Sequence, residues 1–458
     1  MSNLPAGWSV ATIKELAGAD GLATDGDWIE TKDQNPNGSV RLIQLADIGE
    51  GEFRDRSARF VTLETAKRLN CTFLKEGDLL IARMPDPLGR ACVFPGVGQP
   101  AITAVDVFIW RQPLGGPLAR WLMHFVNSQQ VRNAIAALAG GTTRQRVAGG
   151  RLKQLRIPVP PLPEQRRIVA KIDSLSAKSR RARDHLDHIP RLVEKYKQAI
   201  LAAAFRGELT REWRSKQPSL ADWTTSAVGE VVAIASGQTP KGIETSLSLD
   251  GDVPWFKVSS MNAPENLDGL RSSQFRLSRR EAVRLGLRIF QPGAIAFPKR
   301  GGAIATNKKR RLLVEGAVDL NLMVLTATGV APEYLWWWMQ KLDLASISNG
   351  SNVPQINNGD IASLPIEVPP IEEQHEIARR IETAFVWIDR LAAEATSARK
   401  LIDQLDQSIL AKAFRGELVP QDPNDEPASV LLERIRAERQ SSVRHWSSGW
   451  TRGQQRNQ

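Results

Sequence analysis

Cysteine is nearly absent. Cys71 and Cys92 are the only two in 458 residues, so no disulfide framework is expected, and a reducing, cytoplasmic setting fits. No apolar run approaches the roughly 20 residues that a membrane-spanning helix needs. The opening MSNLPAGWSV lacks the basic start and apolar stretch of a signal peptide, so none is expected. Catalytic signatures are missing too. There is no GxxxxGK[ST] loop to cradle phosphates and no Asn/Asp-Pro-Pro-Tyr/Phe tetrapeptide of the amino-methyltransferases. The two cysteines form no CxxC, which argues against thiol chemistry. His185 and His188 lie three apart beside Asp184 and Asp187, but no third ligand is near, so they read as a solvated helix face. The carboxylates are scattered, with no pair set for acid–base work. The expectation is a chain that is not an enzyme.

Positive charge is plentiful. The formal net charge is +11 and the pI about 9.8, which favours a polyanionic partner, nucleic acid before an acidic membrane. At 458 residues and 42% hydrophobic composition, several sizeable cores are possible.

The chain is built around a segment that occurs twice. AILAAAFRGELT starts at Ala199 and SILAKAFRGELV at Ser408; upstream, PPLPEQ starts at Pro160 and PPIEEQ at Pro369. The offset is 209 in both cases, so the block from Pro160 to Thr210 is duplicated without insertion or deletion. That period is far too long for a solenoid and implies two copies of a domain with a long connecting element. Within the block, Ile168, Ile172, Leu175, Ser179, Ala182, Leu186, Ile189, Val193, Tyr196 and Ile200 follow alternating steps of four and three. The second copy does the same from Ile377 to Ile409. Such a stripe stays on one face of a supercoiled helix. Each helix should run about 40 residues, roughly 60 Å, with the two stripes buried on each other. Small residues at Ser179, Ala182, Ala395 and Ala398 predict a close approach there. Pro190, which has Arg399 as its counterpart, should kink the first helix or split it.

The expected organisation is a first globular unit over 1–157, a helical spacer over 158–215, a second unit over 216–366, a second spacer over 367–420 and a C-terminal extension over 421–458. In the first unit, strands are predicted at Val40 to Ile48, Leu79 to Arg83 and Val105 to Trp110, and helices at Leu63 to Leu69 and Leu118 to Leu138. A glycine-rich loop, Gly140 to Gly150, precedes a strand that ends at Val159. The second unit repeats the order, with strands at Trp255 to Ser259, Ala294 to Phe297 and Val318 to Thr326, and helices at Leu277 to Leu285 and Pro332 to Leu342. The turn from Gly7-Trp8 pairs with that from Asp222-Trp223. Both units therefore read as mixed α/β (α+β). They share a layout and differ in most residues, whereas the helices between them match, which suggests one frame holding two readers of different targets. The extension should hold a short charged helix over Ala428 to Arg439, followed by a loose tail from Ser441 in which Trp446 and Trp450 are unassigned.

The loops carry the donors. The first unit has Arg83 and Arg90 around a Pro- and Gly-containing loop, and Arg144, Gln145 and Arg146 in the glycine-rich one. The second has Thr239, Lys241, Lys257, Lys299, Arg300, Asn307, Lys308, Lys309, Asn352 and Gln355. Arg and Lys can read guanine edges, and Asn and Gln adenine edges; others would hold phosphates and set register. Each alone also reads as solvated surface; basic loops at matching places in two units are the stronger sign. Trp336-Trp337-Trp338, on a predicted helix, reads as core rather than as a base-stacking platform.

The duplicated Pro-Pro-Leu-Pro-Glu-Gln and Pro-Pro-Ile-Glu-Glu-Gln starts, the two Ala-Phe-Arg-Gly-Glu-Leu ends and the alternation of unit and helix resemble the specificity subunit of type I restriction-modification systems. The likeness covers nearly all of the chain except its last few tens of residues. It implies two target recognition domains related by a pseudo-twofold internal repeat, each reading one half of a bipartite asymmetric DNA site. They would be joined by two long helices that form an antiparallel coiled coil and fix the unread spacer. It further implies two modification subunits docked on the helices to methylate adenine, and restriction subunits for translocation and cleavage. S-adenosylmethionine, ATP and magnesium would belong to those partners. A different class, a coiled-coil assembly scaffold that does not bind DNA, would explain the repeat but not the basic loops.

Overall fold

The structure, a computed structural model, describes residues 4–141, 145–350 and 353–454. It contains two compact units. One runs to Leu186 and resumes at Ser397; the other spans Asp187–Thr396. The division falls inside both long helices, Leu162–Ala204 and Ile371–Ala413, so each unit owns a piece of each.

The two units have the same strand plan. In the first, a four-stranded antiparallel sheet has the order Leu22–Asp25, Val107–Arg111, Leu79–Ala82, Ala91–Val93. In the second the order is Val232–Ser236, Leu322–Ala327, Ile295–Pro298, Arg310–Arg311. Each unit adds a three-stranded mixed sheet, centred on Val40–Ile43 and on Val253–Phe256. Each also has a two-stranded ribbon: Ser9–Thr12 pairs with Arg156–Val159, and Thr224–Ala227 with Pro365–Val368. Leu79, Leu80, Ile81 and Ala82 are all buried, as are Ile295, Ala296 and Phe297, because these strands have cores on both faces. The predicted strands and helices are present with ends shifted by a few residues. Leu118 to Leu138 becomes two helices, Ala119–Asn127 and Gln129–Ala137. Short helices at Gly149–Lys153 and Asn358–Ala362, which were not expected, begin at the ends of the loops before the last strands. Trp338 is buried, and Trp337 meets the Phe385 ring edge-on at 4.9 Å, so this run is core, as expected.

The duplicated motifs are the joints between helix and sheet. Gln165 Oε1 accepts from Leu118 N at 2.9 Å while its Nε2 donates to Pro160 O. Gln374 repeats both bonds, to Ala331 N at 2.7 Å and Pro369 O. Each glutamine thus satisfies an orphan amide at the start of a core helix, Ala119–Asn127 or Pro332–Lys341. The neighbouring Glu164 and Glu373 each accept from a tryptophan indole at 2.9 Å, Trp8 and Trp223, the pair expected from the opening turns. At the far end of each helix, Gly207 (φ 73°) and Gly416 (φ 76°) take the left-handed conformation of a helix stop. A Cβ at Gly416 would stand 2.5 Å from Pro5 Cγ. The preceding phenylalanines anchor the stop in the core: Phe414 lies 5.0 Å from Phe125, and Phe205 5.2 Å from Tyr334.

In each unit the two helix pieces run antiparallel. In the first, Ile168 and Ile172 share a core with Ile409 and Ala413. Ser179 Oγ donates to Asp406 at 2.7 Å, and Arg183 binds Asp403 at 2.9 Å and Asp406 at 2.5 Å. In the second, Leu201 and Ala204 share a core with Ile377 and Ile381, and Lys197 Nζ reaches Asp389 at 2.5 Å. Two expectations need correction. Pro190 does not split the first helix, which is continuous from Leu162 to Ala204; a proline there removes one backbone donor without ending the helix. The stripe is not buried along its whole length: Tyr196, Leu391 and Leu405 are 61%, 41% and 54% exposed. Lys197 places its ammonium over the Phe385 ring instead, 5.1 Å from the centroid, so the contacting row here steps by four from Lys197 to Leu201.

The last helix, Ala428–Gln454, is longer than the expected Ala428 to Arg439. It docks on the first unit through Ala428, Leu431, Leu432 and Ile435, all buried. The expected loose tail is helical backbone as far as Gln454; residues 455–458 and the side chains of Trp446 and Trp450 lie outside the described part.

Candidate nucleic-acid interface

The loops expected to carry donors meet at corresponding places in the two units, and the hydrogen bonds define the correspondence. Arg83 follows the strand Leu79–Ala82, and Lys299 follows Ile295–Pro298. Arg83 O accepts from Val147 N at 3.0 Å, and Lys299 O from Ile356 N at 2.8 Å. Arg83 N donates to Asp106 O, and Lys299 N to Asn321 O, each at 2.9 Å. Gly26 N bonds Val107 O as Gly237 N bonds Leu322 O, which matches Asp25 with Ser236. Gly140 and Arg146 exchange both backbone bonds, as do Asn349 and Gln355. These bonds close two loops of equal length, 140–146 and 349–355, again 209 residues apart. The ungapped repeat therefore begins near Gly140, earlier than the Pro160 read from the sequence. Gly141 and Gly350, both with positive φ, are the signal that could have shown it.

The side chains at these matched places differ. In the first unit, Arg83 is 5% exposed; its Nη1 pairs with Asp25 at 2.9 Å and its Nε donates to Val147 O. Arg146 pairs with Asp106 at 3.1 Å and donates to Val105 O. Gln145 is exposed. In the second unit, Lys299 Nζ donates to Ser236 Oγ at 2.8 Å, Arg300 is exposed, and Gln355 Nε2 donates to Asn357 Oδ1. Burial and the neighbouring Arg300 charge push the Lys299 pKa down. Arg144 and Asn352 lie outside the described residues.

Three of the expected reading residues are taken out of that role by burial. Arg83 is spent on Asp25, Val105 and Val147. Arg90, also 5% exposed, donates to Ile48 O at 2.7 Å, Leu45 O at 2.8 Å and Pro87 O at 3.0 Å. Lys309, 3% exposed, donates to Asn307 Oδ1 at 2.8 Å and Leu342 O at 2.5 Å, and burial pushes its pKa down to about 8. A cation buried this deeply, with most of its donors bound to oxygens of its own chain, cannot reach a base edge. Asn307 is committed in the same way: its Oδ1 also accepts from Leu344 N, and its φ of 51° caps the turn Gly302–Thr306. Thr239 Oγ1 accepts from Leu320 N. Lys257 lies over the Trp255 and Phe275 rings, with Nζ 4.8 and 3.9 Å from their centroids. Lys241 and Arg300 are exposed, and Lys308 reaches Asn262 from the surface. Among the described candidates, the basic side chains with solvent access are therefore Arg146 in the first unit and Lys241, Lys257, Lys299, Arg300 and Lys308 in the second. Lys308→Ala should weaken duplex binding and lower the salt slope by about one contact. Lys309→Ala should instead lower the melting temperature; equal slopes for wild type and Lys308→Ala, read by fluorescence anisotropy, would remove Lys308 from the interface.

Among the described residues there is no cluster of His, Cys, Asp or Glu set to hold a metal, and no helix is long and apolar enough to cross a membrane.

Comparison with known proteins agrees with this geometry. The family model for the type I restriction modification DNA specificity domain matches residues 5–186 and again 221–391. The EcoKI specificity subunit of Escherichia coli K12 is 28% identical over 342 residues, covering 70% of this chain and 72% of the relative. The EcoDI specificity subunit of Escherichia coli is 29% identical over 336 residues, covering 66% and 73%. Two solved structures share the fold at 21% identity. One, from work on complex assembly and conformational transition of the type I R-M system, has a TM-score of 0.69 and covers 91% of this chain and 100% of its own. The other, an HsdS subunit from Thermoanaerobacter tengcongensis, has a TM-score of 0.60 and covers 91% and 98%. With its matched loops, its antiparallel helix pieces and two matches of one family model, this chain belongs to the type I restriction modification DNA specificity family.

Proposed function

We propose that the chain is the non-catalytic part of a type I complex that selects the DNA sequence, with each unit reading one half of a bipartite site. The observation that carries this reading is the pair of matched loops, 140–146 and 349–355, on a shared strand plan but with different side chains. Equal frames with unequal contact residues suit two half-sites of unequal sequence. Exposed cations beside the second loop would hold phosphates, while amides and the loop residues would meet base edges. Modification subunits would supply S-adenosylmethionine chemistry, and restriction subunits ATP and magnesium.

The helices supply a measure. At 43 residues each they are about 65 Å long by the usual rise per residue, against about 34 Å for one turn of duplex. We infer that their length fixes the number of unread base pairs. Deleting a matched seven-residue segment from both helices should change the spacer in the methylated sequence and leave both half-sites intact. Sequencing of methylated adenines in cells carrying the deletion reads this directly. An unchanged spacer would end the proposal.

A further inference from the structure

The matched loops rest on four corresponding positions whose charges do not match. In the first unit these are Asp25, Arg83, Asp106 and Arg146, two carboxylates joined to two guanidinium groups at 2.9 and 3.1 Å. Their charges sum to zero. In the second unit the positions hold Ser236, Lys299, Asn321 and Gln355, and Lys299 is the only charge. Its Nζ spends one donor on Ser236 Oγ, and that hydroxyl in turn donates to Asn358 Oδ1 at 3.2 Å. Among the described residues no carboxylate pairs with Lys299, and the one charge that acts on its titration is that of Arg300, a like charge. Arg300 is exposed beside it, on the backbone that bridges to Gln355.

Two adjacent cations at the root of a loop, with free donors and no counter-charge, repel each other unless an anion lies between them. We propose that Lys299 and Arg300 form a phosphate-diester site that clamps the DNA backbone at the second unit, and that the first unit has no equivalent because Asp25 already occupies the cation there. The proposal rests on the reading of this chain as a DNA-binding subunit. A lysine ammonium with two donors left and the fork of an arginine each suit the non-bridging oxygens of a backbone phosphate, one contact apiece. The clamp carries no sequence information. It fixes where the loop 349–355 sits on the duplex, so the second unit depends on ionic attraction where the first depends on contacts made by an already neutralised frame.

The salt dependence of binding tests this on the full-length chain with a mixed-sequence duplex as probe. Each phosphate contact contributes about 0.9 to the slope of log affinity against log salt. Lys299→Gln keeps a donor for Ser236 and removes the charge. Its slope should fall by about 0.9, so that between about 50 and 200 mM salt it loses roughly 3.5-fold less affinity than the wild type. Lys299→Arg should restore the slope, and the melting temperature of both variants should stay at the wild-type value. A wild-type slope in Lys299→Gln would overturn the proposal, as would a slope that fails to return in Lys299→Arg. Absence of any salt-dependent binding by the wild-type chain would overturn the functional reading itself, and this inference with it.

Discussion

Exchange of residues 216–366 for the corresponding segment of another family member is expected to replace one half of the methylated sequence and leave the other half unchanged. The physical ground is that the second strand system meets the helices through a shared core with Leu201, Phe205, Ile377 and Ile381 and through a few bonds that a relative can reproduce. Ala331 N meets Gln374 through a backbone amide, which any residue but proline supplies. Tyr334 meets Phe205 through ring packing, and Trp223 meets Glu373 through its indole. The loops that would touch DNA, including 349–355 and Lys299, travel with the exchanged segment. A donor segment that keeps an aromatic at 334 and the indole at 223 should seat on the helices without repacking them. The readout is the set of methylated adenines in cells expressing the chimaera with its modification subunits. A change in both half-sites would show that the units do not read independently.

Glu373→Ala is expected to be the most damaging single change in the second unit. Glu373 is fully buried and accepts from Thr210 Oγ1 at 2.7 Å, from Trp223 Nε1 at 2.9 Å and from Arg214. Removing the carboxylate leaves the Trp223 indole and the Thr210 hydroxyl without their buried acceptor. It also takes from Arg214 one of its partners, although Arg214 is 27% exposed and keeps Ala221 O and Asp222. Losing the acceptor of buried donors costs about 1–3 kcal/mol each. Its counterpart Glu164 behaves differently. It has only the Trp8 indole, its Oε1 is buried without a hydrogen-bond partner, and burial pushes its pKa above the usual 4.5. The folded state therefore binds more protons there than the unfolded chain does, so this group's contribution to stability falls as pH rises from 4.5 through its folded value. Glu164→Gln keeps an oxygen for Trp8 and removes that charge, and should leave stability at neutral pH unchanged or raised. Urea unfolding of the two variants compares them: Glu373→Ala should lose stability and Glu164→Gln should not. Equal losses would mean that both carboxylates do the same work.

The repeat was the most legible feature of the sequence because it depends on identity rather than on environment. Pro160 to Gln165 and Pro369 to Gln374 look alike since both must cap a core helix and accept an indole. Strands such as Leu79–Ala82 were legible from a short apolar run between turn formers. What the sequence hid was the depth of its cations. Arg83, Arg90 and Lys309 sit in loop-like contexts that look no different from those of Arg300 and Lys308. Only the folded chain shows that Val105, Val147, Ile48, Leu45 and Leu342 turn their carbonyls onto them. The seam misled for a related reason. A lysine counts as polar in a periodic pattern, yet Lys197 sets its ammonium over the Phe385 ring while Tyr196, expected in the seam, is exposed. Pro190 looked like a break because its cost is local, whereas the packing that keeps the helix whole is distributed.

The first unit is assembled from two stretches of chain, with all of the second unit between them. Its core needs Ile409 and Ala413 from one long helix and Ala428 and Leu432 from the last. On the ribosome, domains usually mature in the order in which they emerge. Here that order is reversed: the uninterrupted Asp187–Thr396 unit can close first, while the earlier-made strands wait, incompletely covered, until the polypeptide beyond Ser397 has been translated.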